Sequence, residues 1–209
     1  IKRERKAVQA AGLQVTPVVG KAITPTLLSR MHGFYEQHCA RWGPWGSKYL
    51  TEAFFNHAAA ELRQHLVLFS AHRGDPEHPV AMSLCVHTGS QLWGRYWGSD
   101  EEIDNLHFEV CYYAPIAWAI GRGIISFDPG AGGAHKRRRG FVAEARTSLH
   151  CWFDPQFDAI LRRWLPEANV QMGLEIEAVN AELPFTASYD PPHAPGSNFP
   201  EAQRPPAAG

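Results

Sequence analysis

Three short apolar runs in the middle of the chain constrain its fold more than any other feature. Residues 66–71 are almost entirely apolar, residues 80–87 follow the turn-forming Gly74-Asp75-Pro76, and residues 91–97 follow the turn Thr88-Gly89-Ser90. Runs of this length bounded by turn residues predict strands, and short connections predict antiparallel pairing. The sequence therefore predicts an antiparallel meander, with residues 66–71 as a central strand.

Helical patterns precede this meander. Thr24-Pro25 combines an N-cap residue with the proline preferred at the first helical position. Residues Phe54, Phe55, Ala58 and Leu62 recur at helical spacing and predict the buried side of a helix that Thr51 opens. The elements predicted before the meander are a charged helix over 1–11 ended by Gly12, a strand over 13–19, and helices over 24–39 and 51–64.

After the meander, the sequence predicts a buried helix over 106–122, apolar almost all round, with Pro115 unexpected in its interior. A strand over 124–127 should lie parallel to an earlier strand. Further predicted elements are a strand over 146–153 and helices over 154–165 and 167–182. From Pro184 the composition predicts a disordered tail. The fold class is α/β (α+β), a mixed, mostly antiparallel sheet flanked by helices, in one domain over 1–183 with a tail over 184–209.

The composition and charge of the chain argue against several classes of function. The net charge of −1 argues against a general polyanion binder. The four cysteines form no CxxC pair, which predicts no metal site. Cys85 and Cys111 lie in apolar runs, which indicates core thiols in a reducing, cytoplasmic setting. No apolar run approaches the ~20 residues of a membrane span. The chain starts at Ile1 rather than Met, so we interpret it as part of a longer protein.

A glycine-rich loop followed by four cations spans residues 127–141. Glycines let backbone N–H groups converge on an anion, and the cations add charge beside them. The loop fails the Walker A pattern because His135 and Arg137 occupy its required positions. A solvated turn explains the same residues equally well. The candidate anion-binding residues are Gly130, Gly132, Gly133, His135, Lys136 and Arg139.

Polar and aromatic side chains gather at the start of the predicted buried helix. Aminolysis of an ester or thioester needs a base and a hydrogen-bond donor for the oxyanion. Glu109 or His107 could serve as the base, while Tyr113, on the same helical face as Glu109, could donate; Tyr112 is a candidate for substrate binding. The competing interpretation is structural, because a glutamate in a first helical turn suits capping and the helix dipole.

An arginine stands among aromatic residues in the last strand of the meander. Strand alternation predicts that Trp93, Arg95 and Trp97 share one face, which could hold a carboxylate or a sugar ring. A packed aromatic strand, with Arg95 paired to an acid such as Glu109 or Asp128, explains the pattern equally well. We further predict that Lys136 and Arg139 point into the cleft that Arg95 lines.

Three motifs together resemble a known family: Trp93-Gly94-Arg95-Tyr96-Trp97-Gly98, His107-Phe108-Glu109-Val110-Cys111-Tyr112-Tyr113 and Gly130-x-x-Gly133-Ala134-His135-Lys136-x-x-Arg139-Gly140-Phe141. They are similar to the bacterial FemAB-like family, labelled peptidoglycan biosynthesis/recognition, within the GNAT acyltransferase superfamily. The resemblance covers roughly residues 1–165. It implies a GNAT-like fold and an N-acyltransferase or aminoacyltransferase acting on a cell-wall precursor. It also implies a longer protein with a similar half before this one.

The resemblance carries over to particular residues. The loop 128–133 stands for the Asp-x-Gly-Gly loop of the Fem peptidyltransferases, and Lys136 for the lysine that faces their reacting acyl group; His135 stands where they have phenylalanine. Acyl-CoA or aminoacyl-tRNA is the implied acyl donor, which makes tRNA a candidate partner. The acidic stretch 99–104 replaces the usual pyrophosphate signature and disfavours coenzyme A in its ordinary pose. The alternative is a non-catalytic recognition module that retains the fold.

Overall fold

The structure is a computed structural model that describes residues 1–46 and 48–184. It divides into two compact units, residues 1–131 and the residues from 132 onward. The predicted disordered tail lies, from residue 185, outside the described residues.

The first unit is a five-stranded sheet with helices on both faces. The strands are β1 (Gln14–Val19), β2 (Leu66–His72), β3 (Ala81–His87), β4 (Gln91–Ser99) and β5 (Ser126–Asp128), in the spatial order β1-β2-β3-β4-β5. The first four pair antiparallel, whereas β5 pairs parallel with β4. The predicted meander, its mixed sheet and the parallel fifth strand are confirmed.

Two hydrophobic clusters cover the two faces of this sheet. Every residue of β2 is buried, so successive side chains of β2 enter opposite clusters. The helices on one face are α2 (Pro25–Ala40) and α3 (Glu52–Glu61), and the cluster beneath them includes Phe34 and Phe55. The other face carries α1 (Lys2–Ala10) and the helical segments after β4, with Phe69 and Val110 in its cluster.

The helices before the meander follow their sequence signals closely. Thr24 caps α2, since its side chain accepts a hydrogen bond from the Leu27 N–H at 3.2 Å. In α3 the predicted buried side is right at Phe55 but wrong at Phe54 and Leu62, which are 39% and 42% exposed. Leu62 follows the end of α3, so helical spacing does not apply to it, and the Phe54 ring packs against that of Phe55 in a T-shaped arrangement, with centroids 5.4 Å apart.

The predicted buried helix consists of three parts. α4 (Leu106–Phe108) leads into a π-helical turn (Glu109–Tyr113), and α5 (Ala114–Gly121) follows without a break. Pro115 therefore lies directly after the π-helical turn, so the proline coincides with a change of hydrogen-bond register in a continuous helix. Burial is less complete than predicted, because Ile120 is 73% exposed.

The second unit is built from a 3₁₀ turn (Ala134–Arg139), an extended stretch and the helix α6 (Pro155–Ala181). Asp154 caps α6 by accepting hydrogen bonds from two backbone N–H groups of its first turn. The predicted strand over 146–153 is wrong, since these residues pair with no strand in the described chain. The two predicted helices are one, because α6 continues through Pro166 at an exposed position.

The structure also bears on the predictions made for the cysteines, for metal sites and for membrane-spanning helices. Cys85 is buried as predicted, and burial raises the pKa of its thiol to about 12. Cys111 is only half-buried. Within residues 1–46 and 48–184, no group of His, Cys, Asp and Glu side chains is arranged to hold a metal ion. In the same ranges, no helix is both long and apolar enough to cross a membrane.

Candidate functional site

The candidate site of the first unit lies where β4 and β5 separate. Only Gln91, Leu92 and Trp93 of β4 pair with β5, although β4 continues to Ser99. Because the backbone N–H of Asp100 donates to Val80, strand alternation turns the N–H and C=O of Trp97 away from β3. Among the strands described, none pairs with this edge of β4, so it can hydrogen-bond an extended ligand.

A β-bulge interrupts β4 beside this edge. Gly94 pairs with Cys85, whereas Tyr96 pairs with Leu84, so Arg95 has no opposite residue on β3. The Arg95 side chain is exposed, and its Nη1 donates to the Gly94 carbonyl at 3.4 Å. A bulge adds one residue to a strand and so shifts the alternation of all following side chains.

Because of the bulge, the prediction that Trp93, Arg95 and Trp97 share one face of the sheet is wrong. Trp93 is opposite Val86, which packs against the cluster beneath α2 and α3. Trp97 is opposite Ser83, whose hydroxyl donates to the Val110 carbonyl at 2.8 Å on the other face. The two tryptophans therefore lie on opposite faces of the sheet, and only Trp97 faces the helical segments after β4.

An aromatic cluster forms around His107. Its ring centroid lies 4.5 Å from that of Trp97 and 5.4 Å from those of Phe108 and Tyr112. Three predicted site residues, Trp97, His107 and Tyr112, are thus brought together beside the free edge of β4. An imidazole in this position can accept a proton from a ligand held along that edge.

Glu109 and Tyr113 are engaged elsewhere, by α1. Glu109 is 6% exposed, and its carboxylate accepts hydrogen bonds from Arg5 Nε at 3.0 and 3.2 Å and from Arg5 Nη2 at 3.0 Å. Tyr113 donates its hydroxyl proton to the Glu4 carboxylate. Arg5, rather than Arg95, is therefore the ion-pair partner of Glu109, and this pairing supports its structural interpretation.

Arg5 and Glu4 are the interacting residues that the sequence did not reveal. They lie in a helix rich in charge, and 104 residues separate Arg5 from Glu109. An acid in an otherwise apolar helix is the one available signal, because a buried carboxylate requires a cation somewhere in the fold.

Replacing Arg5 by alanine should destabilise the protein by ~1–3 kcal/mol. The change leaves the buried Glu109 carboxylate without its hydrogen-bond donor, and the partial exposure of Arg5 limits the loss. Urea unfolding of Arg5→Ala, with Arg3→Ala as the control on the same helix, measures the difference. A double variant with Glu109→Gln should recover part of it; equal stability of Arg5→Ala and Arg3→Ala would show that the pair contributes nothing.

The glycine loop begins in the first unit, directly after β5. Asp128 folds its start by accepting a hydrogen bond from the Gly130 N–H at 2.8 Å, and Gly130 has a φ of 88°. A Cβ on Gly94 would lie 3.5 Å from Pro129 Cα, so the loop runs close to the bulged part of β4. Gly130 is thereby placed beside the point where β4 and β5 separate.

The rest of the loop belongs to the second unit. Gly132 and Gly133 have φ values of 68° and 89°, and a Cβ on Gly133 would lie 2.7 Å from the His135 ring. The 3₁₀ turn that follows carries the cations, where Arg139 Nη1 donates to the His135 carbonyl at 2.9 Å. Arg137 instead pairs with Glu182 at 2.7 Å.

The charge at this turn comes from its lysine and arginines. Burial lowers the pKa of His135, and the neighbouring charges of Arg139 and Lys136 lower it further. His135 is consequently uncharged at neutral pH, so Lys136 and Arg139 carry the positive charge of the predicted anion site. That these two cations share a cleft with Arg95 stays a prediction, because the residues belong to different units.

Removing both cations should separate an anion site from a structural loop. We expect Lys136→Ala with Arg139→Ala to weaken the binding of a phosphorylated ligand by ~1–3 kcal/mol per charge-assisted hydrogen bond lost. Stability should change by only ~0–1 kcal/mol per charge. Calorimetry and thermal melting measure the two quantities, with Arg138→Ala as the control in the same turn. Lost stability with unchanged binding would support the structural interpretation.

The acidic stretch between β4 and α4 is partly compensated by arginines. Asp100 pairs with Arg30, and Glu101 accepts hydrogen bonds from both Arg73 nitrogens at 2.8 and 2.7 Å. The hydrogen bond from Arg73 lowers the pKa of Glu101. Two of the four carboxylates in this stretch are therefore paired with arginines, so the stretch repels a pyrophosphate less than its acidic residues alone would predict.

A comparison of the sequence with protein-family models finds a match. The model of a family described as FemAB-like, peptidoglycan biosynthesis/recognition, matches residues 1–187. No curated protein matches the sequence.

Proposed function

Because the chain belongs to the FemAB-like family of peptidoglycan biosynthesis/recognition, we propose that it transfers an acyl or aminoacyl group to an amine of a peptidoglycan precursor. Membership implies a peptidoglycan-related function. The proposal adds the reaction type, which the GNAT resemblance suggests and the geometry of the first unit supports.

The observation that carries the proposal is the separation of β4 from β5 after Trp93. Backbone groups at a free strand edge can pair with amide groups of an extended ligand, which fixes its direction and depth. The Trp97 backbone lies on that edge, and the His107 ring packs against the Trp97 side chain at 4.5 Å. A ligand paired with the edge would carry its reacting group past an imidazole.

The chemistry is aminolysis of an activated carbonyl. The amine nitrogen attacks the carbonyl carbon, a C–N bond forms, the C–O or C–S bond breaks, and the amine proton passes through a base to the leaving group. We assign the base to His107, because the Glu109 carboxylate already accepts three hydrogen bonds from Arg5. Tyr112, whose ring centroid lies 5.4 Å from that of His107, would hold the imidazole in place in this proposal.

The resemblance to the family adds a proposal for the glycine loop that does not depend on the edge of β4. By that resemblance, Lys136 would stabilise the developing oxyanion. Arg139 and the glycines of the loop would bind phosphates of the donor or of a nucleotide-linked acceptor. Aminoacyl-tRNA and acyl-CoA, the two candidate donors, both carry such phosphates.

Product formation tests the proposal directly. The chain is incubated with UDP-linked muropeptide and either aminoacyl-tRNA or acyl-CoA, and mass spectrometry follows the muropeptide. We expect a mass increase equal to one acyl or aminoacyl group, at an amine of the peptide. Muropeptide that binds, by calorimetry, but gains no mass with either donor would overturn the transferase proposal.

A specific observation favours a second candidate, a recognition module without catalysis. Two of the predicted catalytic side chains, Glu109 and Tyr113, contact α1 rather than a ligand site. A module of this kind would bind muropeptide with the same affinity before and after His107→Gln and would show no turnover in either form. A transferase would bind it similarly, but the wild type would show turnover that the variant loses, so turnover rather than binding distinguishes the two functions.

A further inference from the structure

A loop with highly exposed aromatic side chains follows α2. We call residues 41–46 and 48–50 the aromatic loop, in which Trp42, Trp45 and Tyr49 are 64%, 88% and 81% exposed. Large aromatic side chains stabilise a protein when they are buried, so stability does not explain why three of them lie in water on one loop. Such a cluster indicates a binding surface.

The backbone of the aromatic loop is nevertheless held in place. The hydroxyl of the buried Tyr35 accepts hydrogen bonds from the backbone N–H groups of Tyr49 at 2.7 Å and of Leu50 at 3.1 Å. Lys48 pairs with Glu36 of α2. The rings are therefore presented from a fixed backbone, which lowers the entropy cost of binding a ligand.

The aromatic loop lies at one end of the free edge of β4. Strand alternation turns the Ser99 carbonyl, like that of Trp97, away from β3, and it accepts a hydrogen bond from Arg41 Nη2 at 3.5 Å. In the last turn of α2, the His38 ring centroid lies 5.6 Å from that of Trp97. A peptide paired with Trp97 and continued in the direction of Ser99 would therefore reach the aromatic loop.

The charge and composition of the aromatic loop distinguish between possible occupants. Glu36 neutralises Lys48, which leaves Arg41 as the one remaining cation of these nine described residues and gives little attraction for an anionic membrane or a nucleic acid. A second copy of the chain would bury far less here than the ~800 Å² per partner of a stable interface. A sugar fits better, because its apolar ring faces and polar rim match aromatic side chains that each carry an N–H or O–H group.

We propose that the aromatic loop binds the sugar of a ligand whose peptide pairs with the free edge of β4. Trp42 and Trp45 stack against the ring faces, and the Arg41 guanidinium, which has several N–H donors, hydrogen-bonds the hydroxyl or acetamido oxygens. A muropeptide has this construction, since its peptide is joined to the sugar by its N-terminus. The N-terminus of the peptide then lies toward Ser99, and its C-terminus toward the point where β4 and β5 separate.

The inference rests on the proposed function only for the pairing of a peptide with β4. Calorimetry on the full chain tests it with three probes: UDP-linked muropeptide, the free stem peptide, and the disaccharide of N-acetylglucosamine and N-acetylmuramic acid without peptide. We expect Trp42→Ala with Trp45→Ala to weaken muropeptide binding about tenfold, because it removes the stacking surface. Binding of the disaccharide at millimolar concentration should be lost, and the affinity for the free peptide should stay within a factor of about two, since β4 pairs through backbone groups.

α6 provides a matched control in the second unit. Phe157 and Trp164 are 51% and 56% exposed and belong to no proposed site. The double change Phe157→Ala with Trp164→Ala also removes two exposed aromatic side chains and should leave all three affinities unchanged. Circular dichroism verifies that each variant folds.

Four results would overturn the inference. These are a wild-type chain that does not bind the disaccharide, muropeptide affinity that is unchanged in the loop variant, equal loss in the control variant, and equal weakening of the free peptide. Sedimentation velocity adds a fifth, since a dimer that the loop variant dissociates would assign the rings to a second copy of the chain.

Kinetics separates this inference from the transferase proposal. If the loop variant transfers the acyl group with an unchanged KM for muropeptide, the sugar site is wrong and the transferase stands. If the disaccharide and the muropeptide bind through the aromatic loop but no donor gives turnover, the sugar site stands and the transferase is wrong.

Discussion

Replacing His107 by glutamine should lower kcat/KM for acyl transfer by ~10²–10⁴-fold, the usual contribution of a general base. Glutamine keeps a hydrogen-bonding group of similar size beside Trp97 but cannot carry the amine proton. The loss should appear in kcat with little change in KM, because ligand binding along the β4 edge uses backbone groups. Steady-state kinetics with the muropeptide acceptor measures both constants.

His87 provides a control for the packing of His107. Its ring lies 5.2 Å from Trp118, so it is another imidazole resting against a tryptophan in the first unit, and it belongs to no proposed site. His87→Gln should leave kcat/KM within a factor of ~2 of the wild type, since no step of the proposed transfer uses it. If both variants lose activity equally, aromatic packing rather than proton transfer explains the effect at His107.

Replacing Gly98 by alanine should destabilise the protein by ~3 kcal/mol, the upper range for overpacking a core. A Cβ on Gly98 would lie 2.6 Å from Phe34 Cβ and 2.7 Å from the Phe34 carbonyl carbon. These atoms belong to the backbone region of α2, so no side-chain rotation relieves the overlap. The helix would have to move away from β4, which separates side chains that are now fully buried.

Gly33→Ala, in α2, is the control, and this change should stabilise the protein rather than destabilise it. A Cβ there meets no heavy atom within 4 Å, and alanine favours the helical backbone by up to ~1 kcal/mol. Urea unfolding of the two variants and the wild type measures both effects. A Gly98→Ala variant that unfolds at the wild-type urea concentration would show that α2 adjusts freely on the sheet.

The parts of the fold that local chemistry determines could be predicted from the sequence. The three strands of the meander were readable from apolar runs between turn residues, and Thr24-Pro25 located the start of α2. The parallel direction of β5 was readable as well, because a helix of this length returns the chain across the sheet. In each case the residues that predict an element lie within that element or within a few residues of it.

The prediction failed where long-range pairing decides the outcome. Residues 146–153 were predicted as a strand, but a strand also needs a partner, and local sequence does not supply one. Two helices were predicted on either side of Pro166, but α6 continues through it. The proline has no N–H to donate to the carbonyl of the preceding turn, and because Pro166 is exposed, water can donate to that carbonyl instead.

The candidate site was predictable in its residue types but not in its arrangement. His107, Tyr112 and Trp97 were candidates from the sequence, and the structure brings their rings together. The bulge at Arg95, which separates Trp93 from Trp97, depends on how β3 and β4 pair. The pairing of Glu109 with Arg5 depends on where α1 packs, so neither could be read from spacing.

The π-helical turn Glu109–Tyr113 determines where this buried segment can lose a residue. A π turn holds one residue more than an α turn, so it accommodates an extra residue without rotating the helix that follows. Deleting Cys111 would therefore restore regular α geometry and leave α5 in place, with Trp118 still against the Phe69 ring, whose centroid is 6.0 Å away. A deletion within α5 has no such compensation, because each removed residue rotates the rest of an α-helix by ~100°. The π turn is consequently the position in this buried segment where the loss of one residue should disturb the core least.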